Sequence, residues 1–298
     1  MSGALPGSLS ALSSDRTIGT WKTAGGWAGL EPTVRTGVPA SAHDWGAQFR
    51  QELPRREPSK ASFGDLHVSV LGAFQLEEAH APVAMPMGGQ RLLAFLALAG
   101  IAMKRPLVAG TLWPDASENH AYGNLRSALA RLGASGRRAV RADSGDVELA
   151  PSVQVDVQDA RALALRLLAP APPSQSDLGP GARVILSADL LPGWYDDWVL
   201  VEAEEWHQLS LHALEALADH LIRAGRFGEA ASAAAASVRA EPMRESAHAS
   251  LIRVHLAEGN ESEARRQLAR LRQLLRVELG LEPSVLITEL FGEQEEAT

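Results

Sequence analysis

The chain has no cysteine among its 298 residues, so disulfide bonds and cysteine-based zinc sites are excluded. It also lacks any uninterrupted apolar run of about 18 residues, the length that a membrane-spanning helix needs. Polar residues and glycines interrupt the N-terminus throughout, so no signal peptide is predicted there. We therefore expect a cytoplasmic protein that does not bind membranes.

Sequence signatures of enzymes are missing as well. No phosphate-binding GxxxxGK[ST] loop, GxSxG elbow, HExxH zinc motif or GxGxxG fingerprint occurs in the chain. Among the nine histidines, His248 and His255 are spaced to share a helix face, but no carboxylate stands at ligand spacing beside them. The sequence thus predicts no enzyme, no metal and no cofactor.

Charge is distributed unevenly along the chain, whose net charge is −8. Residues 189–298 carry 20 acidic residues and 10 arginines, whereas residues 104–141 carry seven lysines or arginines against only Asp115 and Glu118. Exposed charges more than about 10 Å apart are largely screened at ordinary salt, so a local basic surface can bind phosphates beside an acidic domain. The overall negative charge does not exclude a nucleic-acid partner.

The first 62 residues are predicted to be a disordered leader, because glycine, proline, serine and threonine dominate them and no hydrophobic period persists. Trp21, Trp27 and Trp45 are unusual in such a segment. One interpretation is that these tryptophans have no particular role. The alternative is that they dock on the folded part of the chain or on a partner.

Residues 63–160 are predicted to form a winged helix-turn-helix domain. An alternating run at 66–78, with Gly72 in its middle, predicts one strand with a bend. Three helical patterns and a hairpin pattern follow at 88–100, 106–113, 117–133 and 138–151. This order of elements is typical of DNA-binding winged helices.

The C-terminal region is predicted to be entirely helical. A proline- and glycine-rich stretch predicts a linker over 161–188, and an acidic tail is expected at 291–298. Between them, helices are expected at about 197–223, 227–240, 244–257 and 261–279. Gly225, Glu229 and Ala230 recur 34 residues later as Gly259, Glu263 and Ala264, which is the tetratricopeptide period. The fold class is therefore an α+β winged helix-turn-helix domain followed by an all-α tetratricopeptide-like domain over 189–290.

The third helical pattern has two different faces. At 100° per residue its core face holds Ala121, Leu125, Ala128, Leu129 and Leu132. Arginine can bond to guanine and asparagine to adenine in the major groove, so the outer face has the chemistry of a base reader. The alternative is an ordinary solvated face. The candidate recognition residues are His120, Asn124, Arg126, Ser127 and Arg131.

Basic residues near this helix are candidates for contacts with the DNA backbone, which position a protein without specifying sequence. Arg137, Arg138 and Arg141 stand at the start of the hairpin, the wing. Lys104 and Arg105 precede the second helix. Each group could equally be a solvated basic turn.

Tryptophans mark two further segments. Trp113 is predicted to pack between the second and third helices. Residues 191–206 combine Trp194, Tyr195, Trp198 and Trp206 with five acids. We expect this segment to anchor the core of the helical domain, with an aromatic and acidic partner surface as the alternative.

Residues 66–283 resemble the SARP family, the antibiotic regulatory proteins of actinobacteria. The resemblance lies in "LHVSVLGAFQL", "GGQRLLAFLAL", "LWPDASENHAYGNLRSALARL", "DLLPGWYDDWVLVEAEEW" and "LGLEP". These regulators join an OmpR-like winged helix to a bacterial transcriptional activation domain of tetratricopeptide type.

The resemblance implies a sequence-specific transcriptional activator. It implies head-to-tail protomers on direct repeats of double-stranded promoter DNA, near the −35 region, that contact RNA polymerase holoenzyme and control a secondary-metabolite or similar gene cluster. Such a protein would be nucleoid-associated. Carried over to this chain, Asn124, Arg126, Ser127 and Arg131 would lie on the recognition helix, with the wing at about 139–149.

The chain departs from the family pattern at four points. The 62-residue leader is not part of the pattern, and RLGASGRR at 131–138 replaces a denser clustering of arginines. Val108, Ala109 and Gly110 replace the polar or basic residue expected where the second helix begins, and the wing is acidic after Arg141. These departures motivate a second hypothesis, a tetratricopeptide adaptor whose winged helix no longer binds DNA.

Overall fold

The computed structural model describes residues 66–291. The predicted leader, with Trp21, Trp27 and Trp45, lies outside the described residues, as does the predicted acidic tail from residue 292 onward. The first part, 66–155, contains every described strand together with four helices and is named the β-rich part. An entirely helical part, 156–291, follows it.

The β-rich part begins with three short strands, β1 (Leu66–Ser69), β2 (Gln75–Glu78) and β3 (Ala81–Pro82). β1 and β2 are antiparallel, with Leu66 opposite Glu78 and Ser69 opposite Gln75. The prediction of a single bent strand over 66–78 was therefore wrong. Gly72 reverses the chain with a φ of +83°, a conformation that glycine adopts without the steric cost of a side chain.

Four helices and a hairpin come next, where three helices were predicted. They are α1 (Met87–Ala99), α2 (Arg105–Leu112), α3 (Glu118–Ala130), α4 (Gly133–Ala139), β5 (Val140–Ala142) and β6 (Asp146–Leu149), with β4 (Met103–Lys104) before α2. The hairpin pattern predicted from residue 138 therefore overlaps the end of α4, a short helix that the sequence reading missed. α1 ends at Gly100, which has the left-handed conformation that favours glycine at a helix end.

The strands form two small sheets. In the first the order is β3-β2-β1-β7, where β7 (Gln154–Val155) runs parallel to β1. In the second the order is β4-β6-β5, so β6 is the central strand of the hairpin sheet. β4, immediately before α2, is thus hydrogen-bonded to the wing, and this pairing fixes where α2 begins relative to it.

The helical part starts earlier than expected. α5 (Asp156–Leu168) and α6 (Pro180–Leu186) occupy much of the predicted linker, 161–188. Between them, the carboxylate of Asp177 accepts hydrogen bonds from Arg166 and from the backbone and side chain of Ser174, which orders the proline-rich loop. The compositional bias toward proline and glycine therefore marks a structured loop between two helices.

Four long helices and a short one complete the chain. They are α7 (Asp197–Arg223), α8 (Phe227–Ala240), α9 (Glu245–Ala257), α10 (Glu261–Leu279) and α11 (Val285–Glu289). Their bounds agree closely with the sequence prediction for the first four. Alanines such as Ala230, Ala233 and Ala264 are fully buried between neighbouring helices, which allows the helices to approach closely.

One continuous core joins the two parts. Buried side chains extend without a break from Leu66 in β1 to Val254 in α9, and a second, smaller cluster lies around Leu271 and Ile287. Because burial of apolar surface is the main stabilising contribution to folding, the shared core couples the β-rich part to the helical part.

Candidate nucleic-acid interface

The inner face of α3 is fixed by the core. Ala121, Leu125 and Ala128 are buried, as is Leu132 just after the helix, while Leu129 is half-buried. This agrees with the predicted core face. Since the inner face is buried, the opposite face of α3 must point to solvent.

That outer face carries the predicted recognition residues. All five side chains are exposed, and none makes a hydrogen bond or ion pair to any residue within 66–291: His120, Asn124, Arg126, Ser127 and Arg131. Arg131 stands at the C-terminal end of the helix, as its capping residue. The structure therefore brings the five together on one helix with their donors and acceptors unoccupied.

Of the two cations at the start of α2, Lys104 has a carboxylate partner within the fold. The Lys104 Nζ lies 2.9 Å from an Asp146 carboxylate oxygen, although the lysine side chain is 72% exposed. The half-buried Arg105 has a buried Nε with no partner among the described residues. Its backbone N–H donates to the Gly145 carbonyl at 3.0 Å, which connects α2 to the wing turn.

The wing turn is acidic and rigid. The Asp143 carboxylate accepts hydrogen bonds of 2.7 Å from the backbone N–H groups of Gly145 and Asp146. The hydrogen bonds from Asp146 and Gly145 lower the pKa of Asp143, with Arg105 and Lys104 adding smaller effects of the same sign. Asp143 is therefore ionised, and the tip of the wing carries a fixed negative charge.

The three arginines predicted at the start of the wing differ in position and in surroundings. Arg137 and Arg138 lie in the last turn of α4, before the hairpin, so the predicted position was wrong for these two, and only Arg141 lies in β5. Arg138 forms an ion pair with Glu78 of β2, and Ser135 donates a hydrogen bond to the same carboxylate. The Ser135 hydrogen bond and the Arg138 charge lower the pKa of Glu78. Arg137 and Arg141 are exposed and have no ion pair within the described residues. Of the five predicted backbone cations, Lys104 and Arg138 already have carboxylate partners.

Glu78 is a contributor to this region that sequence reasoning missed. It lies 60 residues before Arg138 in sequence, and its own segment was predicted to be the end of a bent strand. The β1–β2 turn and α4 bring it to the wing, and no local pattern indicates that pairing.

The segment after β1 is hydrogen-bonded to the helical part. The Asp156 carboxylate at the start of α5 accepts hydrogen bonds from the backbone N–H groups of Val70 and Leu71. The Gly72 N–H donates to the backbone carbonyl of Asp189 at 2.7 Å, and the Leu191 N–H donates to the backbone carbonyl of Val70 at 2.9 Å. Burial raises the pKa of Asp156 against the opposing effect of these hydrogen bonds.

The tryptophan segment packs at the same junction. Trp198 meets Phe95 of α1 edge to face at 5.4 Å between ring centroids, and Trp194 meets Trp198 in the same way at 6.4 Å. Trp206 is buried and its indole N–H donates to the Ala188 carbonyl at 2.8 Å. These three tryptophans are structural anchors, and only Tyr195 remains largely exposed, at 82%.

Two further properties bear on the kind of site. Within residues 66–291, no helix has the length and apolarity to cross a membrane. The part of the chain that the structure describes also holds no cluster of three or more histidine, cysteine, aspartate or glutamate residues suited to a metal ion.

Trp113, which was predicted to pack between the second and third helices, lies directly after α2. Its side chain is half-buried against the core.

Comparison with known proteins finds a similarity in the helical part. Residues 182–293 match the bacterial transcriptional activator domain. This range begins in α6 and includes the tryptophan segment and the helices from α7 to α11. The match supports transcriptional activation as the class of function. No curated protein matches the chain.

A solved structure shares the fold. EmbR of Mycobacterium tuberculosis, determined in complex with a low-affinity phosphopeptide, superposes with a TM-score of 0.56 at 22% sequence identity. The alignment covers 76% of this chain and 64% of the EmbR chain. The likeness therefore extends beyond the activator domain and concerns the fold alone, and this chain accounts for less than two thirds of EmbR.

Proposed function

We propose that the chain is a sequence-specific DNA-binding transcriptional activator, with a regulatory and no catalytic role. Its β-rich part acts as a winged helix, α3 reads the major groove of promoter DNA, and the helical part is the activator domain. Arg126 and Arg131 contribute the contacts on which binding depends, with Asn124 as a second base reader.

The observation that carries the proposal is the outer face of α3. Two arginines, an asparagine, a serine and a histidine are exposed there without any partner in residues 66–291. On a solvated helix face, acids three or four residues away can pair with the cations and stabilise the helix. Glu118 is the only acid on α3, and it does not pair with either arginine. Unpaired donors of this kind suit an external acceptor.

The activator-domain match supports the second half of the proposal. We place RNA polymerase holoenzyme as the protein partner, and direct repeats near the −35 region as the DNA site, bound by two protomers head to tail. The target would be a secondary-metabolite or similar gene cluster. These finer assignments follow the SARP resemblance.

Salt dependence of binding to duplex DNA tests the proposal. Each phosphate contact adds about −0.9 to the slope of log affinity against log salt. We expect the Arg126→Ala/Arg131→Ala variant to lose affinity and to show a slope that is shallower by up to about 2. The matched control is Arg239→Ala/Arg272→Ala, which removes from α8 and α10 two exposed arginines that have no ion pair within residues 66–291.

The acidic wing favours one alternative, a protein–protein adaptor. Asp143 and Asp146 stand where a DNA-binding wing would meet phosphate, and Lys104 and Arg138 are already paired. If the chain is an adaptor, its affinity for DNA does not depend on Arg126 and Arg131. Equal affinity of the unaltered chain and the Arg126→Ala/Arg131→Ala variant for every duplex would therefore favour the adaptor.

A further inference from the structure

A glycine stands in the middle of the outer face of α3. Gly123 lies three residues after His120 and four before Ser127, so the three are neighbours along the helix surface. Glycine is a poor residue for a helix interior, because it loses more backbone freedom on folding than any other residue. Gly110, Gly181 and Gly228 are helical glycines with equally open surroundings, but of these four described glycines only Gly123 stands among the candidate DNA-reading side chains.

Neither of the two usual intramolecular reasons applies to Gly123. Its φ does not lie in the left-handed region, in contrast to Gly133 after the helix, whose φ is +69°. A Cβ built at Gly123 would have no described atom within 4 Å, whereas a Cβ at Gly136 would stand 2.9 Å from the Leu132 Cβ. The fold of residues 66–291 thus accepts a side chain at position 123.

We infer that Gly123 is the point at which α3 comes closest to DNA. This inference rests on the proposed function and adds a residue to its binding site. Glycine allows a backbone to approach a ligand closely. The exposed donors of His120, Asn124 and Ser127 surround Gly123 on the same side, so a groove that these side chains reach would bring base edges against the Gly123 Cα.

The inference predicts opposite effects on folding and on binding. Gly123→Ala should raise Tm by about 2–4 °C, because alanine is the better helix former and nothing in the fold obstructs it. The same substitution should weaken DNA binding by about five- to hundredfold, the range of a lost base contact. The salt slope should stay unchanged, because no cation is removed.

The test uses the full chain and duplexes of about 40 base pairs, long enough for two half-sites, selected from a random pool by the unaltered chain. Binding is measured by fluorescence anisotropy across a salt series. The matched control is Gly228→Ala in α8, where a Cβ likewise meets nothing within 4 Å. It should stabilise the chain and leave DNA affinity unchanged. A longer side chain, Gly123→Gln, should weaken binding further.

The outcomes separate this inference from the proposed function. If Arg126→Ala/Arg131→Ala abolishes binding but Gly123→Ala binds as tightly as the unaltered chain, the close approach at Gly123 is overturned and the DNA-binding function stands. A fall in Tm for Gly123→Ala also overturns it, since the glycine would then serve the fold. If the unaltered chain selects no duplex, the proposed function itself fails and the inference fails with it.

Discussion

His248 is a buried histidine of α9 whose two ring nitrogens are both used. Its Nε2 lies 2.9 Å from the Pro242 carbonyl, and its Nδ1 lies 2.8 Å from the Gln267 amide nitrogen. A carbonyl can only accept, so Nε2 carries the proton and Nδ1 accepts from Gln267. Burial lowers the pKa of His248, against the Pro242 hydrogen bond that raises it. The neutral ring is therefore part of the packing between α9 and α10.

The stability of the folded chain should depend on pH through His248. Because the pKa of His248 is lower in the folded chain, its contribution to stability is complete above about pH 6.5 and is lost as pH falls below that value. The urea concentration at the midpoint of unfolding should decrease when the pH is lowered from 7.5 to 5.5. The His248→Gln variant should show a smaller decrease over the same pH range. The exposed His120→Gln is the control. An unchanged pH dependence in His248→Gln would contradict the account.

Asp177 is the residue that orders the loop between α5 and α6. The Arg166 hydrogen bond, followed by those from Ser174, lowers the pKa of Asp177 to about 2. Asp177→Asn should lower the free energy of unfolding at pH 7 by about 1–3 kcal/mol, because the charge-assisted hydrogen bonds that the buried carboxylate accepts from Arg166 and Ser174 are weakened. Because the folded pKa is depressed, the difference should persist above about pH 4 and diminish as pH falls toward 2. Chemical denaturation at pH 7 and pH 2.5 measures it, and an equal difference at both would contradict it.

The wing is the element whose charge opposes the proposed function. Asp143→Asn keeps an oxygen that can accept from Gly145 and Asp146, so the turn should remain while its negative charge is removed. We expect affinity for duplex DNA to rise by about two- to fivefold at low salt, because repulsion from phosphate falls. Asp159→Asn, the same charge change at an exposed position of α5, should have no effect. A loss of affinity in Asp143→Asn would mean that the carboxylate itself assists binding.

At the scale of elements, the sequence predicted best where a hydrophobic period ran for several turns. The bounds of α7 to α10 were predictable because each helix carries an apolar face and ends at glycine or proline. α4 was not, since Gly133–Ala139 contains two glycines, two arginines and no apolar period. The run at 66–78 was mistaken for one strand because alternation continues on both sides of Gly72 and does not reveal the reversal there.

The site was predictable in part for the same reason. The face of α3 follows directly from helical periodicity, so its exposed residues could be named from sequence. The partners of Lys104 and Arg138 could not, because Asp146 and Glu78 reach them through strand pairing and a long-range turn. Ion pairs between distant segments leave no local pattern.

On the scale of the whole molecule, the β-rich and helical parts behave as one unit. The shared core, the Asp156 hydrogen bonds and the Arg91–Asp196 ion pair all cross between them. We therefore expect one cooperative thermal transition by calorimetry for residues 66–291. Trp198→Ala should shift that transition to lower temperature without splitting it, at a cost of about 3 kcal/mol. Two separate transitions in the unaltered chain would contradict the shared core.

Rigid coupling has a consequence for the proposed function. If α3 fixes the chain on DNA, the activator domain is held in one orientation toward the neighbouring promoter elements. Position along the promoter should therefore matter as much as affinity for the operator.

Genome-wide occupancy of the tagged chain tests the central claim most directly, with the Arg126→Ala/Arg131→Ala variant and its Arg239→Ala/Arg272→Ala control beside it. The account predicts sharp peaks upstream of a few operons, centred on a spaced direct repeat, that disappear in the α3 variant and persist in the control. Peaks that persist in the α3 variant would show that the chain reaches promoters without its α3 arginines. That result, or the absence of peaks in cells that express the chain, would contradict the account.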